Sequence, residues 1–232
     1  MEYPLINIDG VFLFLNDDSY YLIDTGSPFT YTKFGSILIN EKEYKNTLFK
    51  SILEDRCNKL SSRLKKNVCG IIGLDVISSE GLFIDKKNNK LSFCSKDLEG
   101  IVFKYDYINN NILKYIILNL MVSGLQDYGE KKFLFDTGIA SSLFTKELCI
   151  HSQYAYRKEL YYLALDNKFE LDYVFNSISQ NFNSIQLEVA GFDDATFKQQ
   201  IEPLGVSGLI SFNDLVKEYL IINKDKNTII IK

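Results

Sequence analysis

Histidine is nearly absent from this sequence, since His151 is the only one among its 232 residues. A single imidazole excludes a zinc centre built from several histidines. A serine or cysteine hydrolase would need His151 as its base, and Cys149 lies only two residues away. On a helix that spacing points the two side chains apart. We therefore interpret His151 as a surface residue, and the absence of GxxxxGKS/T and GxGxxG patterns argues against a nucleotide-binding loop.

Cysteine is sparse too, with four residues at positions 57, 69, 94 and 149. In a chain of this length an even count does not imply a disulfide framework. No two of them have the CxxC spacing of zinc sites, so we expect buried free thiols. The sequence predicts no metal site and no cofactor.

Long apolar runs and clusters of basic residues are also missing. No apolar stretch reaches the length of a membrane span, and the net charge of −4 is spread along the chain, which argues against a membrane or nucleic-acid partner. The first residues show no basic region followed by an apolar stretch. We therefore expect no signal peptide, which favours a cytoplasmic location. The 15 tyrosines and 17 phenylalanines favour strands.

An internal repeat is the most informative feature that is present. Residues 21–27 read YLIDTGS and residues 133–139 read FLFDTGI, at an offset of 136 − 24 = 112. The same offset relates LINI at residues 5–8 to ILNL at residues 117–120. A repeat of this length is typical of two copies of one structural unit.

A second pair of segments follows each copy, at residues 70–93 and residues 208–231. They align without a gap at an offset of 208 − 70 = 138, so the second half is longer by 138 − 112 = 26 residues. The order of the matched segments predicts two homologous lobes, which we divide into residues 1–98 and 99–232.

The local patterns favour strands. Three hairpins are predicted at residues 11–23, 82–93 and 219–231, because apolar segments there flank turn-forming residues. One segment has apolar residues at helical spacing and predicts a helix with Thr47 as its cap: Leu48, Phe49, Ile52, Leu53, Cys57, Leu60 and Leu64. We expect a mostly β protein with a few helices, whose two β lobes are related by a pseudo-twofold axis.

The two Asp-Thr-Gly triplets resemble those of aspartic peptidases of the pepsin and retropepsin type, in a compact two-lobed form. In that family an apolar pair precedes the triplet, a small or hydroxyl residue follows it, and an apolar-apolar-Gly block comes later. The first half matches fully, with Ser27 and Gly73 in these places. The second half departs at Ile139 and Ser211. The resemblance covers most of the chain and implies acid-protease-like barrels.

The resemblance implies that Asp24 and Asp136 are the catalytic pair. Two adjacent carboxylates cannot both ionise and so share a proton, as aspartic peptidases show. The implied activity is an aspartic-type endopeptidase, a hydrolase that activates water between the two carboxylates. One alternative is a catalytically silent peptide-binding or inhibitor-like protein on the same fold. Another is an unrelated structural protein, in which the repeat would be chance.

Supporting roles follow from the same resemblance. Thr25 and Thr137 are expected to hydrogen-bond across the lobe interface, and Gly26 and Gly138 to form tight turns with their N–H groups near the carboxylates. We expect the Ser27 hydroxyl to hydrogen-bond the outer oxygen of Asp24.

Ile139 has no hydroxyl to offer Asp136. An Ile139→Ser substitution is therefore expected to move the upper limb of a pH–rate profile to lower pH. Gly73 and Ser211 are expected beneath the two active-site loops, where serine leaves less room than glycine.

A peptide or protein substrate is the partner that the resemblance implies. We expect it to bind as an extended strand between the lobes, and we expect a monomer because one chain carries both halves. The hairpin that covers the substrate could be a short one at residues 37–44. It could instead come from the second lobe, at residues 161–175.

Overall fold

The computed structural model of the chain describes residues 1–46, 50–110, 113–123, 129–149, 154–162 and 167–232. Strands dominate it, and the chain order of the strands is β1 Tyr3–Ile8, β2 Val11–Asn16, β3 Ser19–Ile23, β4 Tyr31–Thr32, β5 Ser36–Ile39, β6 Lys42–Lys45, β7 Val68–Ile72, β8 Leu82–Asp85, β9 Lys90–Ser92, β10 Ile101–Lys104, β11 Asp106–Asn110, β12 Leu113–Ser123, β13 Glu130–Phe135, β14 Ser142–Thr145, β15 Tyr154–Tyr162, β16 Asn167–Gln180, β17 Asn183–Phe192, β18 Gly208–Ile210, β19 Tyr219–Asn223 and β20 Thr228–Ile231. The helices are α1 Lys50–Leu64, α2 Leu74–Glu80, α3 Lys146–Cys149 and α4 Ala195–Ile201, and α4 runs into a 3₁₀ turn at Glu202–Leu204. The predicted residues Thr47, Leu48, Phe49 and His151 lie outside the described residues.

The three predicted hairpins are confirmed as β2–β3, β8–β9 and β19–β20. Asp17 and Asp18 turn the first one with positive φ angles of 45° and 60°. Asn89 and Asn227, which are 138 residues apart, have φ of 54° and 50° in the other two. Asparagine and aspartate tolerate this left-handed conformation better than most residues, which explains why the turns occur there.

Two large sheets form the molecule. The first has ten strands in the order β10-β20-β19-β8-β9-β1-β2-β3-β7-β4, and the second has eight in the order β11-β12-β13-β18-β14-β17-β16-β15. Three strands of the second half, β10, β19 and β20, therefore extend the sheet of the first half through the pairing of β19 with β8. The mostly β fold class is confirmed, and the division at residue 98 stays a prediction.

The centre of each half repeats with the same register. In the first half β7 runs parallel to β3 and antiparallel to β4, and Leu22 lies opposite Ile71. In the second half β18 runs parallel to β13 and antiparallel to β14, and Leu134 lies opposite Leu209. These pairs agree with the two sequence offsets, since 22 + 112 = 134 and 71 + 138 = 209.

The upstream part of the predicted repeat is wrong. Leu13 of β2 pairs with Leu22, whereas Ile117 of β12 pairs with Leu134. Ile117 therefore occupies the place of Leu13, at an offset of 104, and not the place of Leu5. Alternating apolar strands look alike over four residues, so the match of residues 5–8 with residues 117–120 was a local coincidence.

The first strand of each half gives a further offset. Tyr3 pairs with Leu91 and Phe103 pairs with Ile229, so this position repeats after 103 − 3 = 100 residues. The offset grows along the chain from 100 to 104, 112 and 138. Three successive connecting segments of the second half are thus longer than their counterparts in the first half, by 4, 8 and 26 residues.

Helix α1 follows the predicted periodicity except at Ile52, which is 55% exposed. Its residues Leu53, Cys57, Leu60 and Leu64 are buried against a cluster that includes Leu13, Leu22, Tyr31, Val68 and Ile71. The helix therefore lies on the inner strands of the first half. Among the described residues, no helix is both long and apolar enough to cross a membrane.

All four cysteines are free thiols, and three of them, Cys57, Cys69 and Cys149, are buried. Burial raises the pKa of Cys57 and of Cys149 to about 12. A thiol with so high a pKa is a poor nucleophile, which removes Cys149 as a catalytic residue.

Gly73 and Ser211 lie at equivalent ends of β7 and β18 and are accommodated differently. A Cβ atom at Gly73 would lie 2.5 Å from the carbonyl oxygen of Phe29, so that position has room for glycine alone. The Ser211 hydroxyl instead donates to the carbonyl of Ile139 at 2.9 Å. It takes the role of the Leu74 N–H, which donates to the equivalent carbonyl in the first half.

We expect Gly73→Ala to destabilise the fold by about 1–3 kcal/mol or more, because the added methyl group overlaps a backbone carbonyl. The matched variant Ser211→Ala adds no atoms but loses the bond to Ile139 and the bond that Ser211 Oγ accepts from the Asn213 N–H, and we expect a cost of about 1–3 kcal/mol. Urea unfolding of both proteins would measure the two free energies. A Gly73→Ala protein as stable as the wild type would contradict this account of the loop.

Candidate active site

The ends of β3 and β13 place the two aspartates. The Asp24 N–H donates to the Ile72 carbonyl at 3.0 Å, and the Asp136 N–H donates to the Ile210 carbonyl at 2.8 Å. Strands β7 and β18 therefore hold the backbones of Asp24 and Asp136 in place at the ends of β3 and β13. Each aspartate is the residue directly after its strand, which is the place that the sequence repeat predicts.

The carboxyl groups of Asp24 and Asp136 hydrogen-bond each other. The residues are only 6% and 8% exposed. Asp24 Oδ1 also accepts from the Ser27 N–H at 3.0 Å, and Asp136 Oδ1 accepts from the Gly138 N–H at 2.7 Å. The structure thus brings the two predicted residues together at the interface of the two sheets.

Gly26 and Gly138 each face the aspartate of the other half. A Cβ atom at Gly26 would lie 2.6 Å from Asp136 Cγ, and one at Gly138 would lie 2.6 Å from Asp24 Cγ. Any side chain there would push the carboxyl groups apart. The glycines are therefore needed for close approach.

Thr25 and Thr137 form a crossed set of hydrogen bonds beneath the carboxyl groups. The N–H of Thr25 donates to Thr137 Oγ1 at 3.1 Å, and the N–H of Thr137 donates to Thr25 Oγ1 at 3.0 Å. Each hydroxyl then donates to the strand of the other half, Thr25 to Phe135 at 2.9 Å and Thr137 to Ile23 at 3.1 Å. The two loops are tied together by four buried bonds with twofold symmetry.

The expected role of the Ser27 hydroxyl is wrong. It donates to the Phe29 carbonyl at 2.9 Å, and only the backbone N–H of Ser27 reaches Asp24. Ile139, at the equivalent position, therefore removes no hydroxyl bond from Asp136. The expectation that Ile139→Ser would lower the upper pH limb loses its physical basis.

Two hydroxyl residues that support the loops were missed in the sequence. Thr30 Oγ1 accepts from the Gly73 N–H at 2.9 Å, and Ser142 Oγ accepts from the Ser211 N–H at 3.0 Å. They are equivalent, since 30 + 112 = 142. The sequence signal that could have found them is a hydroxyl at the same offset as the aspartates.

The pKa values of both carboxyl groups are raised, mainly by burial. Burial raises the pKa of Asp24, while the Arg56 cation and hydrogen bonds lower it in part. Burial also raises the pKa of Asp136, and the neighbouring charge of Asp24 raises it further, well above its ordinary value. Both shifts disfavour a doubly ionised pair, so Asp24 and Asp136 share one proton, and the apparent pKa values belong to the pair.

A cavity of about 290 Å³ opens above the pair. Its lining includes residues from α1, β12 and the α4 segment: Asp24, Gly26, Pro28, Arg56, Tyr115, Leu134, Asp136, Gly138, Ile139, Gln200, Ile201, Leu204 and Leu209. Helix α1 precedes β7, and α4 precedes β18, so the helical segment before the inner strand supplies a wall from each half.

Arg56 is the functional candidate that the sequence did not indicate. It lies on α1 beside the buried Cys57 and is half-buried in the cavity wall. In sequence it is one charge among several on a helix, and nothing marks it as different from a solvated residue. Only the packing of α1 against the inner strands turns it toward the aspartates.

The short hairpin β5–β6, expected at residues 37–44, does exist. It is held against α2, because the Asn40 side chain donates to the Phe93 carbonyl at 2.7 Å and to Glu80 at 3.0 Å. None of its residues lines the cavity above the aspartates. In the second half, β15 and β16 pair over only part of the range expected at residues 161–175, and residues 163–166 between them lie outside the described residues.

Within the described part of the chain, no group of three or more histidine, cysteine or acidic side chains is arranged to hold a metal ion. The cavity lining includes the two carboxyl groups of Asp24 and Asp136. Their shared proton makes one group an acid and the other a base, which is the arrangement that acid–base hydrolysis requires.

The chain matches no family model and no curated protein sequence. Among solved structures it is similar to the aspartic proteinase from Irpex lacteus, with a TM-score of 0.49 and 10% sequence identity over 99% of this chain and 96% of that one. So low an identity says nothing about activity. The interpretation of the site therefore depends on the geometry of the aspartates, threonines and glycines.

We expect Arg56→Gln to raise both apparent pKa values of the aspartate pair, because the cation that favours the ionised forms is gone. A pair that works in its singly protonated form would then operate in a window shifted to higher pH. Carbon-13 NMR titration of the carboxyl groups would measure the two values. Arg63→Gln, which removes a charge from the same helix outside the cavity lining, is the control and should leave them in place. Unchanged pKa values in Arg56→Gln would contradict the effect that we assign to the Arg56 charge on the two carboxyl groups.

Proposed function

We propose that the chain is an aspartic-type endopeptidase. The observation that carries the proposal is a pair of buried, mutually hydrogen-bonded carboxyl groups, Asp24 and Asp136, at the base of a cavity between two equivalent loops. The crossed Thr25 and Thr137 bonds support it, because they hold the pair in a fixed geometry. Acid–base chemistry gains most from groups that are held in place before the reaction.

The proposed reaction begins with one proton on the pair. Asp24, as the carboxylate, accepts a proton from water while the oxygen of that water bonds to the scissile carbonyl carbon. Asp136 donates its proton to the carbonyl oxygen in the same step. The product is a neutral tetrahedral diol, with Asp24 protonated and Asp136 ionised.

The second step restores the pair. Asp24 gives its proton to the amide nitrogen as the carbon–nitrogen bond breaks, and Asp136 takes a proton from one diol hydroxyl as the carbonyl re-forms. The products are a carboxylic acid and an amine, and the proton is again on Asp136. One water is consumed and no covalent enzyme intermediate forms.

The proposed substrate is a peptide or an unfolded protein segment in extended conformation. The cavity lies between walls from both halves, which suits a strand that crosses it with alternate side chains on each side. We propose that the chain acts as a monomer, because it carries both aspartates.

A silent peptide-binding protein on the same fold is the competing function. In the sequence, Ile139, Ser211 and the lack of a clear hairpin to cover the substrate favour it, and the two intact Asp-Thr-Gly triplets oppose it. The Ser211 hydroxyl hydrogen-bonds the carbonyl of Ile139. At the position of the first half equivalent to Ile139, the Ser27 hydroxyl donates to Phe29 and not to Asp24. Neither departure therefore impairs the pair, and the endopeptidase is the better-supported function.

We expect Asp24→Asn and Asp136→Asn each to lower cleavage of a mixed peptide library by at least about a thousandfold. Asparagine keeps the shape but cannot share the proton. Initial rates at several pH values would show a bell-shaped profile for the wild type and no such profile for the two active-site variants. Asp55→Asn, on the exposed side of α1, is the matched control and should behave as the wild type. Near-normal turnover by either active-site variant would remove that residue from the acid–base pair.

A wild type that cleaves no peptide at any pH, with a folded circular dichroism spectrum, would favour the silent binder. The same preparations should therefore be tested for binding of the library. Binding without turnover would identify that alternative.

A further inference from the structure

Arg56 has unused hydrogen-bonding capacity in the cavity wall. It lines the cavity with both aspartates, and within the described part of the chain its guanidinium makes no hydrogen bond and no ion pair within 4 Å. Arg63, two turns further along the same helix, instead pairs with Asp9 at 3.0 Å. A guanidinium has five N–H donors in a planar fork that matches a carboxylate.

The aspartates do not satisfy those donors. Their carboxyl groups bond each other, and they accept from the backbone N–H groups of Ser27 and Gly138. A substrate that fills the cavity removes water from Arg56. A cationic donor that loses its water and finds no acceptor weakens the free energy of binding. A ligand that brings its own acceptor is therefore favoured.

The surroundings of Arg56 are otherwise mainly apolar. The lining of the first cavity includes Leu134, Ile201, Leu204 and Leu209, together with the polar Gln200. A second cavity of about 180 Å³ shares Arg56, Pro28 and Tyr115 with the first, and its remaining lining is Ser27, Phe29, Ile52, Leu53 and Leu113. Among the described residues that line the two cavities, Arg56 is the only one with a positively charged side chain.

We propose that Arg56 forms a subsite for an acidic side chain, so that the cleft selects peptides with glutamate or aspartate near the cleaved bond and an apolar residue beside it. The guanidinium binds the substrate carboxylate in a fork-to-fork pair. The second cavity takes the apolar side chain. This inference rests on the proposed function for its substrate, and on the position of Arg56 for its specificity.

The test uses sets of peptides that differ at one position only. A peptide that the wild type cleaves is remade with glutamate, glutamine or lysine at each of the three positions on either side of the cut. At one position we expect kcat/KM for the glutamate peptide to exceed that of its glutamine isostere about tenfold. Arg56→Gln should bring this ratio close to one, and Arg56→Glu should favour the lysine peptide.

Arg63→Gln is the matched control, because it removes the same charge from the same helix and should keep the wild-type ratio. Thermal unfolding by circular dichroism checks that the variants are folded. A wild-type ratio near one at all six positions would overturn the subsite. A preference that survives in Arg56→Gln would overturn it as well.

Fluorescence anisotropy separates this inference from the proposed function. If the wild type cleaves nothing, the same labelled peptides are tested for binding alone. Tighter binding of a glutamate peptide that is lost in Arg56→Gln would support the subsite while the peptidase proposal fails. Equal binding of the glutamate and glutamine peptides, or binding of neither, would overturn the subsite.

Discussion

Two carboxyl groups held together away from water are the constraint on which the rest of this structure depends. Burial disfavours the charge of each one, and the two would repel if both were ionised. A single shared proton removes the repulsion, but only while the groups remain within hydrogen-bonding distance. The surrounding parts of the molecule can be understood as the means by which the protein maintains that distance against the tendency of the groups to separate.

The twofold arrangement meets this requirement with few residues. Thr25 and Thr137 bind the strand ends of opposite halves, so that neither loop can move without the other. Gly26 and Gly138 leave the space that the carboxyl groups occupy. The helical walls differ more between the halves than the base does, with Arg56 from α1 and Gln200, Ile201 and Leu204 from the α4 segment. Symmetry is therefore strongest where the proton is shared and weaker where a substrate would be recognised.

The sequence predicted the base of the site better than its walls. The register of the inner strands was predicted correctly from the paired Asp-Thr-Gly triplets and the blocks at Gly73 and Ser211. Close packing at the site limits which residues and backbone conformations these segments can have. The upstream match failed because alternating apolar strands of similar length have no distinctive residues. The bond of the Ser27 hydroxyl depends on the local path of its loop, and the exposure of Arg56 to the cavity depends on how α1 packs. Neither is encoded in a short motif.

The pairing of β19 with β8 has a consequence for the order of events during synthesis. Phe83 and its partner Ile221 are 221 − 83 = 138 residues apart, so one edge of the first sheet stays open until β19 has left the ribosome. An open edge strand with buried apolar residues is prone to pair with other chains. The nascent protein therefore passes through a period in which its first half is exposed to aggregation, and arrival of the last two strands ends that period.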